Sequence, residues 1–105
     1  MIGDKLIISL KPIIRYNKNF IYKCKRYPID FNLIKSNSNY FYERRDEYEN
    51  MEDIELDNEL IDFSENCISC FISACHNENF EINSDNVFSL HELSVKFEVP
   101  SLTSI

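Results

Sequence analysis

Residues 64–102 read SENCISCFISACHNENFEINSDNVFSLHELSVKFEVPSL, and their pattern decides the fold. Ser64 is a good N-cap, since its hydroxyl can accept from an orphan N–H of the first helical turn. Behind it, Cys67, Phe71 and Cys75 fall at helical spacing, and Ile68, Cys70, Ile72 and Ala74 widen them into an apolar stripe. Asn77 to Asn79 should end this helix. Phe80-Glu81-Ile82 alternates and predicts a strand of three residues. Asn83, Ser84 and Asp85 are all capping residues. The helix after them should bury Val87, Leu90, Leu93, Val95 and Phe97. It should stop before Pro100, because a residue preceding proline is pushed out of the helical region. The expected core is Phe71, Ile72, Leu90, Leu93 and Phe97, with Phe41 packed near them.

Toward the N-terminus, Ile54-Glu55-Leu56 alternates as a short strand, followed by a connection over Asp57 to Asp62. Residues 46–53 are strongly acidic and read as a solvated loop. Tyr40, Phe41, Arg44, Arg45 and Tyr48 predict one helix, with Ser36 and Ser38 as candidate caps. Asp30 predicts the N-cap of a short helix carrying Phe31, Leu33 and Ile34. Phe20, Tyr22 and Cys24 alternate with Ile21, Lys23 and Lys25, the period of a strand. Tyr27-Pro28-Ile29 predicts a second strand, entered through a turn at Lys25-Arg26. Residues 1–19 read as a basic lead-in with one apolar patch, where Pro12 argues against a central strand.

The chain has 105 residues, enough for one domain with a real core. Eight Phe and six Tyr argue against disorder. The net charge of −7 is unevenly spread. Residues 1–45 hold ten basic and three acidic side chains, a balance of +7; residues 46–105 hold one basic and fifteen acidic, a balance of −14. Such a division suggests either oppositely charged faces that attract, within one copy or between two, or a basic arm for nucleic acid. The most apolar stretch, Leu6 to Ile14, is interrupted by Lys11 and Pro12 and falls short of the ~20 residues a membrane span needs. No signal peptide is apparent, so an intracellular place, cytoplasmic or nuclear, is expected, with reduced cysteines.

Cys67, Cys70, Cys75 and His76 have half of a zinc-site spacing, but no second C-x-x-C accompanies them. The three cysteines also lie on the apolar stripe, where a free thiol behaves as a small hydrophobe. A reactive thiolate needs an electropositive setting, and the C-terminal half is acidic. With Gly3 the only glycine, phosphate-binding loops and nucleophile elbows have no place. No catalytic, cofactor-binding or metal residue is assigned, and no enzyme is expected.

Three runs resemble the BTB/POZ domain. Leu33-Ile34-Lys35-Ser36-Asn37-Ser38-Asn39-Tyr40-Phe41 resembles the family's apolar pair followed by Ser-x-Tyr-Phe. Ile54-Glu55-Leu56-Asp57 and then Ser64 to Cys75 resemble its short strand and capped helix. Asn86-Val87, Leu90, Leu93-Ser94 and Val99-Pro100-Ser101-Leu102 resemble its last helical run. The resemblance covers residues 20–105 and looks closest to divergent protist proteins in which ankyrin repeats follow such a domain. Asp30 and His76 depart from it, standing where many members carry His and Tyr.

The resemblance implies an α+β fold, a cluster of helical hairpins flanked by a small sheet of short strands and truncated at its C-terminus. It also implies a non-catalytic adaptor that self-associates or recruits another protein, in some members a cullin-type ubiquitin ligase scaffold. The expected partner surface is the basic, aromatic hairpin: Phe20, Tyr22, Lys23, Lys25, Arg26 and Tyr27. Its acidic counterpart in a second copy would be Asp46 to Asp53. Nucleic-acid binding through the basic N-terminal half is the alternative.

Overall fold

A computed structural model describes residues 13–57 and 62–103. Most of the lead-in, residues 1–12, therefore lies outside the described residues. Strands β1 (Lys18–Tyr22) and β2 (Lys25–Ile29) form an antiparallel hairpin in which Phe20 stands opposite Tyr27. Strand β3 (Asp53–Glu55) lies parallel to β1 on its other side, with Phe20 opposite Ile54, giving the order β2-β1-β3. A parallel neighbour needs a long crossover. Three short helices supply it: α1 (Phe31–Asn37), α2 (Asn39–Glu43) and α3 (Arg45–Tyr48). The longer helices α4 (Glu65–Cys75) and α5 (Val87–Lys96) follow, then the single turn α6 (Pro100–Thr103). This is the expected α+β layout.

Three caps, Asp30, Ser38 and Ser64, sit where the sequence places them. Asp30 Oδ1 accepts from the N–H groups of Asn32 and Leu33 at 3.0 and 3.4 Å, opening α1. Ser38 closes α1 and opens α2, accepting from Phe41 N–H at 3.2 Å and donating to the Phe97 carbonyl. Ser64 Oγ accepts from Cys67 N–H at 3.1 Å. One amphipathic face of each element then closes on a single core. Phe41 sits within it, its ring centroid 5.3 Å from Phe20 and 5.1 Å from Phe97. Phe71 of α4 reaches Phe97 at 5.5 Å, and Leu90 and Leu93 of α5 are fully buried. Ile72 packs against this core but is only partly buried.

With so little glycine, the chain bends on other residues. The two-residue hairpin turn is Lys23-Cys24, with φ of 49° and 63°. Both values lie in the left-handed region, as a type I′ connection requires. The Lys23 N–H donates to the Asp57 carboxylate at 2.7 Å, which anchors the turn. Helices α4 and α5 both end in a Schellman arrangement around a left-handed residue, Asn77 (φ 60°) and Glu98 (φ 51°). At the first, Glu78 N–H reaches Ser73 O at 2.9 Å; at the second, Val99 N–H reaches Ser94 O at 2.8 Å.

Several expectations are corrected. The hairpin turn lies at Lys23-Cys24, not Lys25-Arg26, because pairing Tyr22 with Lys25 keeps Phe20, Tyr22, Tyr27 and Ile29 on the core side. The helix expected over Tyr40 to Tyr48 breaks at Arg44 into α2 and α3, so α3 carries Asp46 and Glu47 out of the expected loop. Phe80-Glu81-Ile82 is not a strand, and its Glu81 carbonyl accepts from the Asn86 side chain at 2.8 Å. Asn83 caps no helix but folds a local turn, its side chain accepting from the Asp85 and Asn86 N–H groups. Val95 is 58% exposed, since the core stripe of α5 runs through Leu90, Leu93 and Phe97. Among the described residues, no helix is long and apolar enough to cross a membrane.

Candidate interaction surface

The six hairpin residues separate by strand face. Lys23, Lys25 and Arg26 are exposed. Phe20, Tyr22 and Tyr27 are buried, which corrects the expectation that they meet a partner directly. One side of a three-stranded sheet must be covered, and the helices cover the side these aromatics occupy. Tyr22 is held further by its hydroxyl, which accepts from Phe63 N–H at 2.9 Å. Burial pushes the Tyr27 phenol above its ordinary pKa, and its hydroxyl has no hydrogen-bond partner among the described residues.

The three exposed cations each meet a carboxylate of the acidic half: Lys23 with Asp62 at 2.9 Å, Lys25 with Glu65 at 3.0 Å, Arg26 with Asp53 at 3.3 Å. The hydrogen bonds to Asp62 and Glu65 raise the two lysine pKa values. Opposite charges therefore meet within one copy. Each pair is exposed, so each adds little to stability.

Three of the cysteines and His76 are packed into the core side of the fold. Burial pushes the Cys67 thiol up to about 11 and the Cys75 thiol up to about 12. Cys70 packs beside Asn66 and Asn86, and Cys24 is exposed at the hairpin tip. His76, 1% exposed, spends both ring nitrogens on the backbone. Its Nε2 accepts from Asp30 N–H at 2.8 Å, so Nδ1 is assigned the proton it donates to the Ile72 carbonyl at 2.7 Å. Among the described residues, no three His, Cys, Asp or Glu side chains gather as a metal site.

Two surface features were not singled out by the sequence. On α5, Phe88 is 80% exposed and stands two turns from Val95, on the same side of the helix. Phe88 lies off the Leu90–Leu93–Phe97 stripe, a signal the sequence does carry. The second feature is a pair of depressions along the outer side of α1. One, of about 430 Å³, is lined by Lys18, Phe31, Lys35, Arg45, Asp46 and Glu49, among others. The other, of about 290 Å³, is lined by Asn32, Lys35, Ser36 and Tyr42. Nothing in sequence order joins these residues; the crossover of β1 and α1–α3 brings them together.

No protein-family model matches the chain, and no curated protein does. Among solved structures, the BTB (Tramtrack and Bric a brac) domain of human gigaxonin is similar in fold, with a TM-score of 0.67 at 12% sequence identity. The match covers 84% of this chain and 71% of that one.

Proposed function

We propose that the chain is a non-catalytic protein-interaction module that self-associates or recruits a partner protein. The observation that carries this reading is the fold likeness to a BTB domain over 84% of this chain, together with the resemblance that residues 33–102 suggest. The state of the reactive groups supports it. Two thiols are buried with raised pKa values, and His76 is committed to two backbone groups. None of these is poised to give or take a proton from a substrate.

The hairpin remains the expected partner edge, in a changed form. Strand β2 is at the edge of the sheet and carries Lys25, Arg26 and Pro28, residues that restrain uncontrolled strand pairing. Its aromatics stiffen the hairpin from beneath. In a self-associated form, Asp53 and its acidic neighbours of a second copy would take over the cations that Asp53, Asp62 and Glu65 hold in one copy. A cullin-type scaffold is the partner that the family resemblance suggests.

Nucleic acid is the weaker reading. A single-strand binder stacks bases on exposed aromatics beside free cations. Here the hairpin aromatics are buried and its cations are paired. Sedimentation across a concentration series, for the chain and for a Lys23→Gln, Lys25→Gln, Arg26→Gln variant, tests the self-associating form. A concentration-dependent rise in mass that the variant loses supports it; a monomer throughout removes it. A gel shift that weakens steeply with salt would favour nucleic acid instead.

A further inference from the structure

We propose that the outer side of α1 and the α2–α3 turn binds an extended protein segment that presents an isolated carboxylate next to an apolar side chain. The proposal rests on the protein-interaction reading and names the partner's chemistry. The two depressions share Asn32 and Lys35 in their linings, so they lie side by side along α1.

Two of the cations of the larger depression, Lys18 and Arg45, are held in place before any partner arrives. Lys18 Nζ donates to the carbonyls of Glu49 and Met51. It also lies 5.7 Å from the centre of the Phe31 ring, and Lys35 Nζ lies 5.5 Å from the same centre. The Arg45 guanidinium stacks 4.2 Å from the Tyr42 ring and donates to the Tyr42 carbonyl at 2.8 Å. Three cations from three elements thus line one depression, and Lys18 and Arg45 are already tied to backbone carbonyls, which lowers the cost of ordering them on binding.

Asp46 and Glu49 line the same depression. No ion pair joins them to the three cations among the described residues. They narrow the positive field to one spot and repel a run of negative charge. A polyanion such as nucleic acid is disfavoured on this face, and an acidic residue flanked by neutral ones fits. Tyr42, half exposed in the neighbouring depression, offers a rigid aromatic surface to the next side chain. Tyrosine and arginine at such a centre are the residue types that dominate binding energy in protein interfaces.

The test is selection of a random peptide library displayed on phage against the full chain, followed by titration of synthetic peptides from it, read by backbone NMR shifts. The expected result is enrichment of peptides with one Asp or Glu within a few positions of an apolar residue. Shifts should centre on Asn32, Lys35, Ser36, Tyr42 and Arg45. A Lys35→Glu, Arg45→Glu variant, shown folded by its spectrum, should bind them roughly tenfold more weakly or worse. No enrichment, enrichment without carboxylates, or unchanged binding by the variant would overturn the proposal. Peptides that shift the hairpin or α5 and ignore the double variant would overturn this face while leaving the protein-interaction reading intact. Selection of no peptide, together with salt-sensitive retention of nucleic acid, would overturn both.

Discussion

The backbone N–H of Asp30 donates to Nε2 of His76 across 2.8 Å of buried space. These are two of the positions at which the sequence departs from the BTB pattern it resembles, and the fold puts them in contact. The carboxylate of Asp30 is turned the other way. It caps α1 and accepts from Arg15 N–H at 2.9 Å, so one residue fixes the strand entry, the helix start and the end of α4.

Removing the imidazole acceptor should be felt at once. His76→Phe keeps an aromatic ring there but strands a buried N–H, which costs about 1–3 kcal/mol. Urea denaturation should show a lower midpoint for His76→Phe, with His76→Gln partly restored because an amide oxygen can accept. An unchanged midpoint in His76→Phe would show that this bond contributes nothing.

Phe71→Ala should lower stability by about 3–5 kcal/mol, the range for a large side chain deleted from a closed core. The ring is 1% exposed and meets Phe97 from the neighbouring helix. The same denaturation experiment measures it. A loss below about 1 kcal/mol would mean that the α4–α5 contact is not the core, since core deletions of this size cost several times more.

The buried thiols give a pH dependence with a definite sign. Burial raises Cys67 and Cys75 from an ordinary 9.0 to about 11 and about 12 in the folded chain. Their neutral forms are favoured by folding, so their contribution is complete below pH 9 and is lost as pH rises from there through the folded values. Stability measured from pH 8 to 10.5 should fall, and less so in Cys67→Ala, Cys75→Ala. Thiol labelling of the native chain at neutral pH should modify Cys24 promptly and the three buried cysteines only after denaturation.

The left-handed residues are stabilising sites left unused. Glu98 and Cys24 hold φ of 51° and 63°, where a β-carbon costs roughly 1–2 kcal/mol. Glu98→Gly and Cys24→Gly should each raise the thermal midpoint. A fall in both would mean that side-chain contacts outweigh the backbone strain.

Much of this architecture was legible because capping and apolar spacing are local. Asp30, Ser38 and Ser64 announce their helices, and Leu90, Leu93 and Phe97 announce a buried stripe. The turn at Lys23-Cys24 was not, since neither residue belongs to the usual left-handed types and the register is set by which face the helices cover. Phe20, Tyr22 and Tyr27 read as exposed for a related reason: alternation tells that a strand has two faces, not which is covered. Phe80 to Ile82 alternates but pairs with no strand among the described residues. The pair of depressions along α1 depends on a parallel crossover that joins Lys18 to Lys35 and Arg45, and no local pattern reports it.

The central claim is that the folded chain works by binding protein. Its most direct test is quantitative affinity purification with the intact chain after nuclease treatment. A Phe71→Asp variant, unfolded by a buried charge, serves as the parallel control. The account predicts a protein retained near stoichiometrically by the folded chain and not by the variant, then shown to bind it directly when both are purified. No protein retained after nuclease treatment, with nucleic acid retained when the nuclease is left out, would contradict it.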